Sequence, residues 1–274
     1  MEDGLINMQK KLLEMLLRFQ QFASENNLIF FLVGGSALGA ERHKGFIPWD
    51  DDIDIAMARP DFERMEAEMR KQGNTLGDII YSPVAEHIIP EAPIGFLYDV
   101  SRENTDFRNT AKIDIHPIDG TPKSAVLKKV QNIVSIIYYL SVYRLPTKHK
   151  GKLARCISKT ILKLTPLFLL KFYAKVCKKI MTHWDVSKSE SVCSLFGAAG
   201  YKREVMPRNY VFPLKEALFE KNRFLAPYDT KLYLQQLFGN FKEMPPLAER
   251  RPCHRVHLSY IGDMSNGHYD KKND

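Results

Sequence analysis

Asp50, Asp51, Asp52 and Asp54 crowd into five positions of a stretch, "IPWDDDIDIAM", that otherwise reads as a buried strand. Clustered carboxylates repel one another and are costly to desolvate, so something must offset that cost. Side chains alternate between the faces of a strand. Asp52 and Asp54 therefore share a face, while Ile53 and Ile55 point into the core. Two carboxylates about 7 Å apart on one face can share a hard cation. The string "KIDIH" repeats the arrangement, with Asp114 flanked by Ile113 and Ile115. Asp52, Asp54 and Asp114 on adjacent strands would ligate Mg2+, or Mn2+ in its place, and the metal would offset the repulsion. The plainer readings stay open beside this one. Asp50 and Asp51 also suit a solvated turn, and a solitary strand acid such as Asp114 can simply face water. His116, two residues past Asp114 on the same face, could assist.

Gly34-Gly35-Ser36 stands between an apolar run and a helical one, as a phosphate cradle would. Glycines let the backbone approach an anion, and a helix start offers free N–H groups. The same triplet is also a common strand–helix turn. Its order in the chain strengthens the functional reading: glycine turn, Asp-x-Asp strand, third acidic strand. A phosphate binder coupled to a carboxylate-held metal implies phosphoryl or nucleotidyl transfer, driven mainly by charge stabilisation.

Several elements must position these residues. Leu5, Met8, Leu12, Leu16, Phe19 and Ala23 recur at helical spacing and predict an amphipathic helix stopped at Asn26-Asn27. Leu28 to Val33 reads as a buried strand. Ser36 is placed to cap a short helix from Ala37 to His43. A second strand is expected over Asp51 to Met57, and a helix opens at Pro60. Weaker strand signals lie at Ile79–Val84 and Gly95–Val100, and a clear one at Lys112–Asp119. From Lys123 to about His183 the texture turns to long helical runs broken at Pro146 and Pro166. Neither run has ~18 uninterrupted apolar residues, so no membrane span is expected. A strand-like piece and a further helix follow Tyr201, and the polar end of the chain is expected to fray.

The 274 residues suit one sizeable domain with a decoration or two compact ones. At 45% hydrophobic and 26% charged, the composition is that of an ordinary soluble protein. Cys156, Cys177, Cys193 and Cys253 are scattered, which excludes a zinc ribbon or disulfide scaffold and fits a reducing compartment. No basic, apolar leader opens the sequence, so a cytoplasmic location is expected. The net charge of +8 is unevenly spread. Between Asp119 and Asp185 there is no acid at all, while the same stretch carries fourteen of the 40 bases. Lysine-rich amphipathic helices over residues 123–183 suit either a helical subdomain with a solvated lysine face or peripheral association with an anionic membrane. Nucleic-acid binding is disfavoured by the missing motif and the acidic remainder of the chain.

The order of motifs resembles the nucleotidyltransferase fold of the DNA polymerase β superfamily. The longer string "GGSALGAERHKGFIPWDDDIDIAM" closely resembles the LicD family of phosphocholine transferases, to which fukutin-type sugar-phosphate transferases are related. "IDIHPIDG" continues the likeness. So does the stretch Phe212 to His254, where Leu237-Phe238-Gly239 stands in place of the family's usual Tyr-Gly. The resemblance implies an α+β fold with a mixed-sheet core; it covers roughly Phe31 to Met57, Lys112 to Gly120 and Phe212 to His254, and the helical, lysine-rich insertion in the middle lies outside it. Texture and resemblance together divide the chain into a catalytic core at 1–120, a basic helical subdomain at 121–200, a family segment packing on the core at 201–262, and a flexible tail at 263–274.

By the same resemblance, Asp52 and Asp54 would ligate Mg2+, and Asp114 would complete the site or accept the proton of the attacking hydroxyl. Gly34, Gly35 and Ser36 would hold the donor's phosphates. Arg42 and Lys44 could neutralise phosphate charge or form a solvated basic loop. Trp49 could stack on a base or choline ammonium, or simply pack. His43 reads as a helix-end histidine, and Arg251 and His254 as lesser phosphate candidates. The implied reaction takes a CDP-alcohol such as CDP-choline. A hydroxyl on a cell-surface glycan, lipopolysaccharide or teichoic acid precursor attacks the distal phosphorus, CMP leaves, and a phosphodiester forms. Fold alone does not separate this from adenylylation of a small molecule by ATP. A non-catalytic basic membrane-surface adaptor is the third expectation.

Overall fold

A computed structural model of the chain describes residues 2–82, 93–101, 110–143, 159–160 and 162–252. His254, Cys156, Cys253, the bases from 144 to 155 and the tail 263–274 lie outside the described residues.

The expected amphipathic helix is α1, Glu2–Glu25. Its Met8, Leu12, Leu16 and Phe19 stripe is buried to within 1%. The chain turns at Asn27, in the left-handed region at φ 52°, and enters β1, Phe31–Leu32. This strand is shorter than its apolar run suggests, because only these two residues pair with a neighbour. α2 follows over Gly34–Arg42, then β2 over Ile53–Ala58 and α3 over Arg59–Lys71 with Pro60 in its first turn. Next come β3 (Thr75–Leu76), β4 (Ile79–Ser82), β5 (Gly95–Asp99) and the long β6 (Lys112–Gly120).

The sheet runs β1-β2-β6-β5-β4-β3. Only β2 and β6 are parallel in it; the other pairs are antiparallel, so the sheet is mixed and the fold is α+β. On the edge of β6 away from β2, residues 112–115 pair with β5, while residues 118–120 pair with β7, Ser191–Ser194. Two long helices join these halves in sequence: α4, Ala125–Tyr143, and α5, Leu167–Met181. They pack on each other and, with Cys193 and Leu195 from β7 and its exit, form a small second core around Tyr138, Val142, Ala174, Cys177 and Met181.

The remainder is built of short pieces: α6 (Tyr201–Glu204), β8 (Met206–Pro207), α7 (Arg208–Val211), the hairpin β9–β10 (Lys215–Phe219, Asn222–Ala226) and α8 (Thr230–Phe238). Asp229 caps α8 by accepting from Leu232 N–H. Phe219, Phe224, Tyr233, Leu234 and Leu237 join the same core as Leu12, Ile53 and Ile113. The C-terminal third is thus part of the wall around β2 and β6. A buried, two-pronged ion pair ties α3 to the sheet, with Arg59 Nε 2.8 Å from Asp119 Oδ1 on β6.

Candidate active site

β2 and β6 run parallel and in register, which sets Asp54 beside Asp114 and Ala56 beside His116. Ile53, Ile55, Ile113 and Ile115 are wholly buried on the other face, whereas Asp54, Asp114 and His116 are half-buried. The alternation of the two sequence strings thus becomes one polar face. Ligand atoms of Asp54, Asp114 and His116 all lie within 4.8 Å of one another. Asp54 Oδ1 sits 3.3 Å from His116 Nε2, and Asp54 Oδ2 accepts from Gly35 N–H at 3.3 Å. Lys112, also on this face, donates to Asp114 Oδ1 at 2.7 Å and lies 3.5 Å from Asp52 Oδ2. Asp52 precedes β2 and groups instead with Asp50 and Asp51.

The charges are mutually adjusted. Burial pushes Asp54 up, but the hydrogen bond and charge of His116, with help from Lys112, outweigh it and hold the carboxyl low. Burial pulls His116 down, and Asp54 and Asp114 outweigh that in turn, holding the imidazole above its usual value. Each of Asp54 and His116 thus favours the charged form of the other. Burial raises Asp114; Lys112 opposes the rise and Asp54 adds to it. Burial, with Asp52, Asp54 and Asp51 nearby, pushes Asp50 up to about 8. Among the described residues, His116 Nδ1 is a buried polar atom with no hydrogen-bond partner. Two carboxylates and an imidazole at these separations fit a divalent cation, the oxygens suiting Mg2+ or Mn2+.

These groups face a cavity of about 450 Å³. Gly34, Gly35, Asp50, Asp52, Asp54, Lys112, Asp114 and His116 form its polar wall, and Phe196, Val211, Leu237 and Phe238 much of its apolar one. The glycines are there for close approach. Gly34 has φ +51°, and a Cβ on it would lie 2.7 Å from Asp54 Oδ2. Its N–H donates to Tyr233 Oη on α8 at 3.0 Å. Ser36 does not cap α2, whose N-cap is Val33. The helix starts three residues earlier than its sequence suggests, so Ser36 is buried inside it and its hydroxyl accepts from Asp54 N–H at 2.9 Å. Both glycine N–H groups and the serine hydroxyl are thus spent on holding Asp54 and the turn.

Ser36, Arg42, Lys44 and Trp49 are not on the cavity wall. Arg42 donates to Phe241 O at 3.0 Å and Lys44 to Glu41 O at 3.1 Å. Trp49 packs on the main core with the Arg250 guanidinium 5.7 Å above its ring. Arg251 is exposed, and His43 sits at the end of α2.

Four residues that sequence reasoning passed over belong to the site: Lys112, Ser194, Glu204 and Tyr233. Glu204 is buried, accepts from Ala199 N–H at 3.2 Å, and is pushed up to about 7 by that burial. The Gly197-Ala198-Ala199-Gly200 turn wraps it, and a Cβ on Gly197 would meet its carboxyl. That run of small residues was the available signal, although nothing in it specifies a carboxyl as the thing enclosed. Ser194 Oγ is a second buried polar atom without a partner among the described residues.

A parallel strand pair presenting paired acids beside a glycine turn is matched by a known family. Residues 27–130 match the sequence model of LicD/FKTN/FKRP, nucleotidyltransferase domain, and this segment is a LicD-family domain. It contains every acid of the cavity wall except Glu204. Over most of its length, the chain is similar to the lipopolysaccharide cholinephosphotransferase LicD of Haemophilus influenzae: 24% identical over 267 residues, covering 89% of this chain and 92% of that protein. Two uncharacterized rickettsial proteins match shorter stretches. The Rickettsia typhi protein is 34% identical over 56 residues, 19% of this chain and 18% of its own. The Rickettsia prowazekii protein is 42% identical over 41 residues, 15% of each.

Proposed function

We propose that this protein transfers phosphocholine, or a related alcohol phosphate, from a CDP-activated donor to a hydroxyl of a lipopolysaccharide or other cell-surface glycan precursor. The core would be a nucleotidyltransferase fold of the DNA polymerase β type. The observation that carries the reading is the register pairing of Asp54 and Asp114, with His116, on one wall of a glycine-lined cavity. Similarity along most of the chain to a cholinephosphotransferase supports phosphocholine as the transferred group.

Asp54 and Asp114 would hold the Mg2+, with Asp52 reaching it from the loop before β2. Bound there, the ion would neutralise charge on the donor's phosphates. The remaining work falls to side chains. Gly34 and Gly35 let the turn close onto the Asp54 and Asp50 carboxylates and so set the wall that the phosphates would approach. Lys112 adds positive charge to a wall of carboxylates that would otherwise repel the donor, and His116 steadies Asp54 through their 3.3 Å contact. Asp114, whose carboxyl is raised by burial, accepts the proton of the attacking hydroxyl. The oxygen attacks the distal phosphorus, the bond to CMP breaks, and CMP carries away the electron pair.

The test is direct. The protein is incubated with CDP-choline, Mg2+ and a deacylated lipopolysaccharide acceptor, and CMP is measured. CMP release that falls at least ~1000-fold in Asp54→Asn and Asp114→Asn, with melting temperatures retained, supports the reading. Pyrophosphate from ATP with no CMP from any CDP-alcohol overturns it in favour of adenylylation.

A further inference from the structure

Helix α4 buries polar side chains and exposes apolar ones, and α5 is apolar on both its inward and its outward face. On α4 the buried face carries Gln131, Ser135, Tyr138 and Val142, and the opposite face exposes Val126, Val130, Ile133 and Ile137. Hydrogen bonds fix this orientation: Gln131 Nε2 donates to Gly120 O and Met181 O, and its Oε1 accepts from Tyr201 Oη. Rotating the helix to hide its apolar face would strand a buried amide. On α5, Leu170, Ala174, Cys177 and Met181 face inward. Phe168, Phe172, Val176 and Ile180 stand outward at steps of four, Phe168 being 69% exposed and Phe172 60%. Lys171, Lys175 and Lys179 precede the last three of these by one position, so a cationic row runs beside the apolar one. Lys178, on the inward side, lies 3.6 Å from Glu63 of α3 and anchors the helix to the core.

A subdomain with a merely solvated lysine face would not turn aromatic and aliphatic side chains to water. Rows of exposed apolar side chains on two helices that pack together mark a docking site. We propose that the outward face of the α4–α5 pair seats the protein on the surface of an anionic lipid bilayer, the apolar side chains entering the headgroup layer and the lysines contacting lipid phosphates. Charge selects this occupant. No acid occurs between Asp119 and Asp185, so pairing the face with a second copy would set lysine rows against each other. Anionic headgroups complement it, and apolar ridges edged with lysine are the pattern of helices that lie in the interface plane. No helix among the described residues is long and apolar enough to cross a membrane, so the association would be peripheral. The surface lies on elements outside the cavity and stands independently of the reaction proposed above.

The experiment is co-sedimentation of the full chain with vesicles of phosphatidylcholine alone and of phosphatidylcholine with phosphatidylglycerol. Binding is expected only to the second, weakening as salt is raised. The double variant Phe168→Ser/Phe172→Ser and the triple variant Lys171→Glu/Lys175→Glu/Lys179→Glu should each bind about tenfold more weakly or worse, while melting as the parent does. Asp54→Asn should bind as the parent does, which separates this outcome from any failure of the catalytic reading. Absence of binding to anionic vesicles, equal binding to both vesicle types, or parent-like binding by both variants overturns the proposal. So does concentration-dependent dimerisation that the serine variant abolishes.

Discussion

Glu204 is the residue whose behaviour is most sharply predicted. Burial raises its carboxyl from 4.5 in the unfolded chain to about 7 in the fold. Below the lower value both states hold the proton; between the two only the fold does. Its protonated form therefore contributes stability that is complete below about pH 4.5 and is lost as pH rises through about 7. The loss is at most about 3 kcal/mol. In Glu204→Gln this component should vanish. Urea midpoints taken with chelator at about pH 5 and about pH 8 should diverge for the parent and differ less for the variant. At Gly34 the constraint is steric. A methyl group there would press on Asp54 Oδ2 at 2.7 Å in a backbone region that disfavours side chains. Gly34→Ala should displace the carboxylate and cut CMP release by about 100-fold or more, with circular dichroism unchanged.

Among the elements, β2 and β6 matter most, and they were also the most legible. Alternating Ile and Asp is a period-two pattern that admits only one polar face, so the facing of Asp54 and Asp114 followed from the strings alone. Their register did not. Nothing local says that residue 54 sits beside residue 114 and not 112 or 116, because pairing between parallel strands is decided by the chain that connects them. The Ser36 expectation failed for a related reason: a serine after two glycines looks like a cap until α2 is seen to begin at Gly34. Lys112 escaped notice because a lysine at a strand's start usually faces water. Here it is held between Asp52 and Asp114, and Asp114 outweighs the desolvation that would lower its pKa. The contact of α3 with β6 can be tested through its buried ion pair. Arg59→Met strands Asp119 and should cost about 3–5 kcal/mol in urea unfolding. Arg59→Met/Asp119→Leu should recover most of that, since the pair's partners would be removed together.

At the scale of the molecule, the cavity is closed by parts that no contiguous motif contains. β2 and β6 supply the paired acids and α6 the buried glutamate. α8 supplies the tyrosine whose oxygen receives the Gly34 N–H. Tyr233→Phe leaves that buried donor unsatisfied and should lower stability by about 1–3 kcal/mol. It should also slow CMP release while the urea m-value stays constant, since the fold itself is kept. The string-level resemblance reached the first of these contributors and part of the last, and missed the glutamate, whose place depends on α6 folding back beneath β7. One contact has a temporal meaning as well. Gly34 and Tyr233 stand 199 positions apart, which a ribosome covers in roughly ten to forty seconds. For most of that interval Asp54 has already been synthesised but lacks the hydroxyl that fastens the turn above it. A chain that stops short of α8 never receives that bond.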